Sequence, residues 1–204
     1  QNVIDGRHDL LDPRRIGDLN LVGLAYHVPA ATHADNAPLQ VLSSIMGHTP
    51  SGRLHKALVE TKLAAGAGTG SDSFRDPGLA IFMAVPPADG KPAEVEKILL
   101  AQVEQLAEKP FTAEEVDAAK QRIANDFELS FNNANAVATS LSEYIASGDW
   151  RLWFVNRDAV EKVTAADVNR VAKAYLLPSN RTLARFIPTK EPVRAEITAA
   201  PSAA

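Results

Sequence analysis

The feature that most constrains this chain is an abrupt change of period after residue 64. Residues 50–65 read PSGRLHKALVETKLAA, with Leu54, Ala57, Leu58 and Thr61 at helical spacing. That spacing puts an apolar or small face on one side of a helix, with Lys56, Glu60 and Lys62 pointing elsewhere. Ser51 precedes the run and predicts an N-cap whose hydroxyl accepts a free first-turn N–H. From Ala65 to Gly70 small residues alternate with glycine, a period of two. One segment cannot serve both periods, so a strand must follow the helix directly. A turn at 76–78 and the apolar run GLAIFMAVP at 78–86 complete a helix–strand–turn–strand unit. Such a unit calls for a sheet with antiparallel neighbours and a helix laid against it.

The remaining segments fit that frame. Residues 7–16 predict a first strand, placed at an edge by Pro13. LNLVGLAYHVP at 19–29 predicts an inner strand, because both of its alternating faces are largely apolar. Asp35 predicts the cap of a helix running to about residue 46 and ended by Gly47. Residues 93–108 predict a helix with Val95, Ile98, Leu99, Val103 and Leu106 on its core face. Thr112 and Glu115 match a capping box opening a long helix over 113–129. Further helices are predicted over 136–147, 150–156 and, opened by Thr164 and Asp167, to about residue 176. The last strand is predicted over 181–188. Short turns between strands and massed helices imply an α+β class: a mostly antiparallel sheet of about four to six strands, packed on one face by a layer of helices. The expected organisation is an N-terminal arm and edge strand (1–16), one α+β domain (17–188) and a Pro/Ala-rich linker (189–204) leading to a following segment. The start, QNVIDGRHD, lacks Met, and the expectation is a piece of something longer.

Composition removes several chemistries. A net charge of −4 without a basic stripe gives no footprint for nucleic acid. No apolar run approaches the roughly 20 residues needed to span a membrane. The absence of cysteine excludes disulfides, thiolate catalysis and zinc–thiolate sites. The five histidines, His8, His27, His33, His48 and His55, include no pair four apart, so no helix can present two imidazoles to one zinc ion. The expectation is no metal ligand and no catalytic residue in this chain. Gly66, Gly68 and Gly70 do not continue into a phosphate-binding loop, since no Gly-Lys-Ser/Thr and no helix N-terminus follows. They read instead as a strand with one face cleared of side chains. A helix, another backbone or an extended peptide could approach such a face, and close packing within the chain is the expected reason. Glu114, Glu115 and Asp117 offset a helix dipole, and Trp150, Trp153 and Phe154 predict a core plug.

In order and spacing, DNAPLQVLSSIMG (35–47), SGRLHKALVETKLAA (51–65), DPGLAIFMAV (76–85), TAEEVDAAK (112–120) and residues 163–188 with TAADVNRVAKAYL and a final FIP resemble one domain of the pitrilysin/insulysin family of zinc peptidases. That family includes the mitochondrial processing peptidase and the core subunits of the respiratory bc1 complex. Its catalytic domain carries HxxEH and a distant Glu, which this chain lacks. The resemblance therefore implies the non-catalytic partner domain. Zinc would sit in an HxxEH-bearing catalytic domain of the same polypeptide or of a second subunit, and the two would enclose unstructured peptide. The family's substrate-gripping Arg and Tyr fall at Val59 and Ala65 here, so no substrate-binding residue is carried over. The resemblance also implies a bacterial periplasmic or envelope location. Two other readings stand beside it: a purely structural subunit like the bc1 core proteins, and a peptide-binding module using strand addition at the glycine strand.

Overall fold

The computed structural model describes residues 8–11, 14–15, 20–72, 74–106 and 108–188. The arm expected over residues 1–5, the turn at 17–18 and the linker at 189–204 lie outside the described residues. Strands β1 (His8–Leu11), β2 (Arg14–Arg15), β3 (Leu21–Val28), β4 (Gly66–Asp72), β5 (Gly78–Val85) and β6 (Arg181–Pro188) form one sheet. Its order is β1-β6-β3-β5-β4, with β2 also pairing β6. The β3–β5, β3–β6 and β4–β5 pairs are antiparallel, while β1 and β2 run parallel to β6. The helices are α1 (Asn36–Gly47), α2 (Pro92–Glu104), α3 (Ala113–Ser130), α4 (Ala134–Ala146), α5 (Leu152–Glu161) and α6 (Ala165–Tyr175). The class is α+β, with the inner strand at 21–28 central as its two apolar faces implied. No helix among the described residues is long and apolar enough to cross a membrane.

Even-numbered residues of β3 and β5 make the core floor. Val22, Leu24, Tyr26 and Phe82 are fully or almost fully buried. Tyr26 and Phe82 meet edge to face at 5.9 Å. Leu42 and Met46 of α1, Leu99 and Val103 of α2 and Val168 and Val171 of α6 close on them. Both capping boxes form as their sequences require: Thr112 with Glu115, and Thr164 with Asp167. The aromatic plug forms around Trp153, which stacks on Phe131 at 5.2 Å, but Trp150 is exposed.

Five local expectations are corrected. The helix expected within residues 50–65 forms, but as a short wide turn of π-helix, His55–Val59, in which Glu60 N–H reaches back to His55 C=O at 3.0 Å. Leu54 and Leu58 are fully buried as their spacing implied, but Thr61 is exposed and bonds Ala57 C=O at 2.8 Å. The Ser51 hydroxyl does not cap; it lies 2.9 Å from His48 Nδ1. Asp35 precedes α1, yet its carboxylate makes no cap bond. It accepts instead from Arg170 Nη2 and Tyr175 Oη, each at 2.7 Å, tying the start of α1 to α6. Gly47 belongs to the helix rather than ending it. A Cβ there would lie 2.2 Å from Thr69 Oγ1 and 2.8 Å from Thr69 N, so only glycine lets α1 come this close to β4.

Candidate docking face

Alternation along the strands sends a second set of residues to the other side of the sheet. Gly68 pairs with Met83, Met83 with Gly23, and Gly23 with Ala184, giving one row across four strands. Gly70, Ile81, Ala25 and Thr182 make the next row. His27, Leu79, Val85, Leu21, Phe186 and Gly66 share this side. None of these residues is Asp, Glu, Lys or Arg, although the same register pairs Asp72, at the end of β4, with Leu79. An antiparallel sheet with one face in water ordinarily alternates apolar with polar. Here the face away from the helices is apolar too.

The glycines show that nothing among the described residues covers it. A Cβ added at Gly23, Gly66 or Gly68 would meet no atom within 4 Å, and at Gly70 only Ile81 Cβ at 3.9 Å. Close packing within the described chain is therefore not why these positions are glycine, contrary to the sequence expectation. The cleared surface is a shallow trough, with Met83, 37% exposed, standing between Gly68 and Gly23. β4 forms one edge of this surface, pairing among the described residues only with β5.

The remaining site expectations fall as follows. Val59 ends the wide turn half-buried, and Ala65 is exposed just before β4, with its N–H on Val85 C=O at 2.8 Å. Neither side chain can hydrogen-bond a substrate. Lys62 between them has φ +62°, a left-handed conformation that suits glycine. Of the histidines with described side chains, His27 is exposed on the open face, His33 lies beside Asp35, His48 meets Ser51, and His55 Nδ1 stands 3.8 Å from Glu60 Oε1. They are dispersed. Among the described residues no group of three or more His, Asp or Glu could hold a metal ion.

Sequence reading missed the polar anchors, which join residues far apart in the chain. Asp35 is held below the usual carboxylate range, first by the Arg170 hydrogen bond and further by Tyr175. Tyr175 is pushed up to about 12 by burial and by the Asp35 hydrogen bond. Arg53 forks onto Glu115 at 2.7 and 2.6 Å and onto the carbonyls of Lys109 and Pro110, locking the wide turn to the start of α3. Tyr26 donates to Glu104 at 2.8 Å, and Arg181 donates to the same oxygen at 2.6 Å.

Comparison with known proteins places this architecture. Residues 6–123 match the family model described as the peptidase M16 inactive domain. The chain is 42% identical to the inactive peptidase domain of a zinc protease from Bordetella parapertussis, covering 90% of this chain and 98% of that one, with a TM-score of 0.78. It is 28% identical over 166 residues to the zinc protease PqqE of Helicobacter pylori, covering 80% of this chain but only 37% of that protein. A chain of complex III from Candida albicans shares the fold, with a TM-score of 0.73 at 16% identity over 88% of this chain and 45% of that one. The chain belongs to the peptidase M16 inactive-domain family.

Proposed function

We propose that this chain is the non-catalytic domain of a zinc metallopeptidase, and that it docks through the open sheet face onto an HxxEH-bearing catalytic domain. Zinc is held by that partner, and the pair walls a chamber for unstructured peptide. The observation that carries the reading is the largely apolar, glycine-cleared face, because an exposed apolar surface of this kind marks an interaction site. The similarity to zinc proteases and the absence of a metal group among the described residues agree with it. The test is to copurify the chain with the HxxEH-bearing domain of its parent and assay a quenched fluorescent peptide with zinc. The wild-type chain should bind and support hydrolysis, and Met83→Asp, which puts a charge in the trough, should lose both. Equal binding by Met83→Asp would refute docking through this face.

A second reading is favoured by Val59 and Ala65, which leave no polar group where the resemblance places a substrate-gripping pair. The domain is then an assembly element of the same fold, as the likeness to a complex III chain suggests. A stable complex without hydrolysis of any peptide in the mixture would select it.

A further inference from the structure

Eight arginines have described side chains, and six of them pair with a carboxylate. Arg75 is exposed in a loop. Arg122 is different: it is half-buried, its Nε is fully covered, and that Nε has no hydrogen-bond partner among the described residues. A covered cation is normally matched by an acceptor, because removing it from water is otherwise costly.

Two carboxylates line the surroundings, and both are engaged elsewhere. Arg122 lines a cavity of about 330 Å³ between α3 and the segment leading into the wide turn. Glu114, Ala118 and Arg122 follow one another at intervals of four along α3, so they share a face. Ala118 leaves the gap that becomes the cavity. Glu114 lies eight residues from Arg122, about 12 Å along the helix axis. Its carboxylate is engaged at the N-terminus by its own backbone N–H and the Thr112 hydroxyl. Glu115 is already forked by Arg53 and also accepts Thr112 N–H at 3.0 Å. Lys56 and Ser51 line the same cavity. Lys56 has no carboxylate within ion-pair distance among the described residues. Three cations, Arg53, Lys56 and Arg122, and two carboxylates, Glu114 and Glu115, thus line one cavity; Arg53 is engaged by Glu115, which leaves Lys56 and Arg122 without a carboxylate at ion-pair distance among the described residues.

We infer that the cavity between Arg122 and Lys56 binds an oxyanion, a carboxylate or a phosphate. The guanidinium offers a planar fork suited to two oxygens of either group, and Lys56 adds a point charge. This inference is independent of the docking reading, since the cavity lies on the helical side of the sheet.

The test is a titration of the chain with inorganic phosphate and with a short N-acetylated peptide bearing a free C-terminal carboxylate, followed by amide shifts. The amidated form of the same peptide serves as control. Saturable shifts centred on Ser51, Lys56, Ala118 and Arg122 are expected with one or both acids, and none with the amide. The tighter ligand identifies the source of the oxyanion. Arg122→Gln should weaken binding about tenfold, the loss of one charge-assisted contact, while Arg75→Gln leaves it unchanged. If Arg122→Gln does not keep the native spectrum, Lys56→Gln takes its place with the same expected weakening. Failure of both acids to saturate, or unchanged affinity in the cavity variant, overturns the inference.

Discussion

The two faces of the sheet are built from alternate residues of the same strands, and they differ in what they meet rather than in what they are made of. Phe82 and Met83 are neighbours on β5 and both are apolar. Phe82 is almost fully buried under the helices, while Met83 stands exposed between two glycines. On the helix side glycine appears where elements collide, as at Gly47 against Thr69. On the other side glycine appears where a Cβ would meet nothing. Apolar composition alone therefore does not mark a core; the space above each position does.

The largest difference should come from truncating the two neighbours. Phe82→Ala removes a packed ring and should cost about 3–5 kcal/mol, measured by denaturant unfolding. Met83→Ala, on the open face, should change stability by less than about 0.5 kcal/mol. Comparable losses for the two would mean the open face is covered in the isolated chain.

The polar anchors on the helix side come next. Asp35 has its folded pKa below its unfolded value, so its contribution is present above the unfolded value and disappears as pH falls through the folded one. Asp35→Asn should therefore flatten the acid limb of the stability–pH curve. Tyr175 titrates the other way. Its folded pKa is raised to about 12, so its contribution is complete below its unfolded value and fades as pH climbs through about 12. Tyr175→Phe should flatten the alkaline limb, and calorimetry across pH reads both.

Smaller effects belong to local geometry. Thr112→Ala opens one capping box and should cost about 1 kcal/mol. Lys62→Gly relieves the left-handed residue next to β4 and should gain about 0.5–1 kcal/mol in the same unfolding experiment.

Much of this architecture is written locally. The capping boxes at Thr112 and Thr164, the period-two strands and the Leu54–Leu58 spacing specify elements within a few residues, and they form where the pattern puts them. The side of the sheet that the helices cover is not local information. β3 is apolar on both faces, and periodicity assigns residues to faces without saying which one is roofed. The role of Asp35 was illegible for a related reason. Its partners lie 135 and 140 residues later, so a cap was the nearest available use for its carboxylate. Arg53 likewise reaches 62 residues ahead to Glu115. The wide turn at His55–Val59 escaped because its leucines sit at ordinary helical spacing. Of the candidate site, the glycine strand was visible in the sequence, and the open space above it was not.

The chain contains no cysteine, so Met83→Cys would place a single thiol at the centre of the open face. Its rate of maleimide labelling, alone and in complex with the HxxEH-bearing domain, tests the docking face most directly. Fast labelling alone and protection of at least about tenfold in the complex is the expected result. Equal labelling in both states, with complex formation confirmed, would contradict docking through this face.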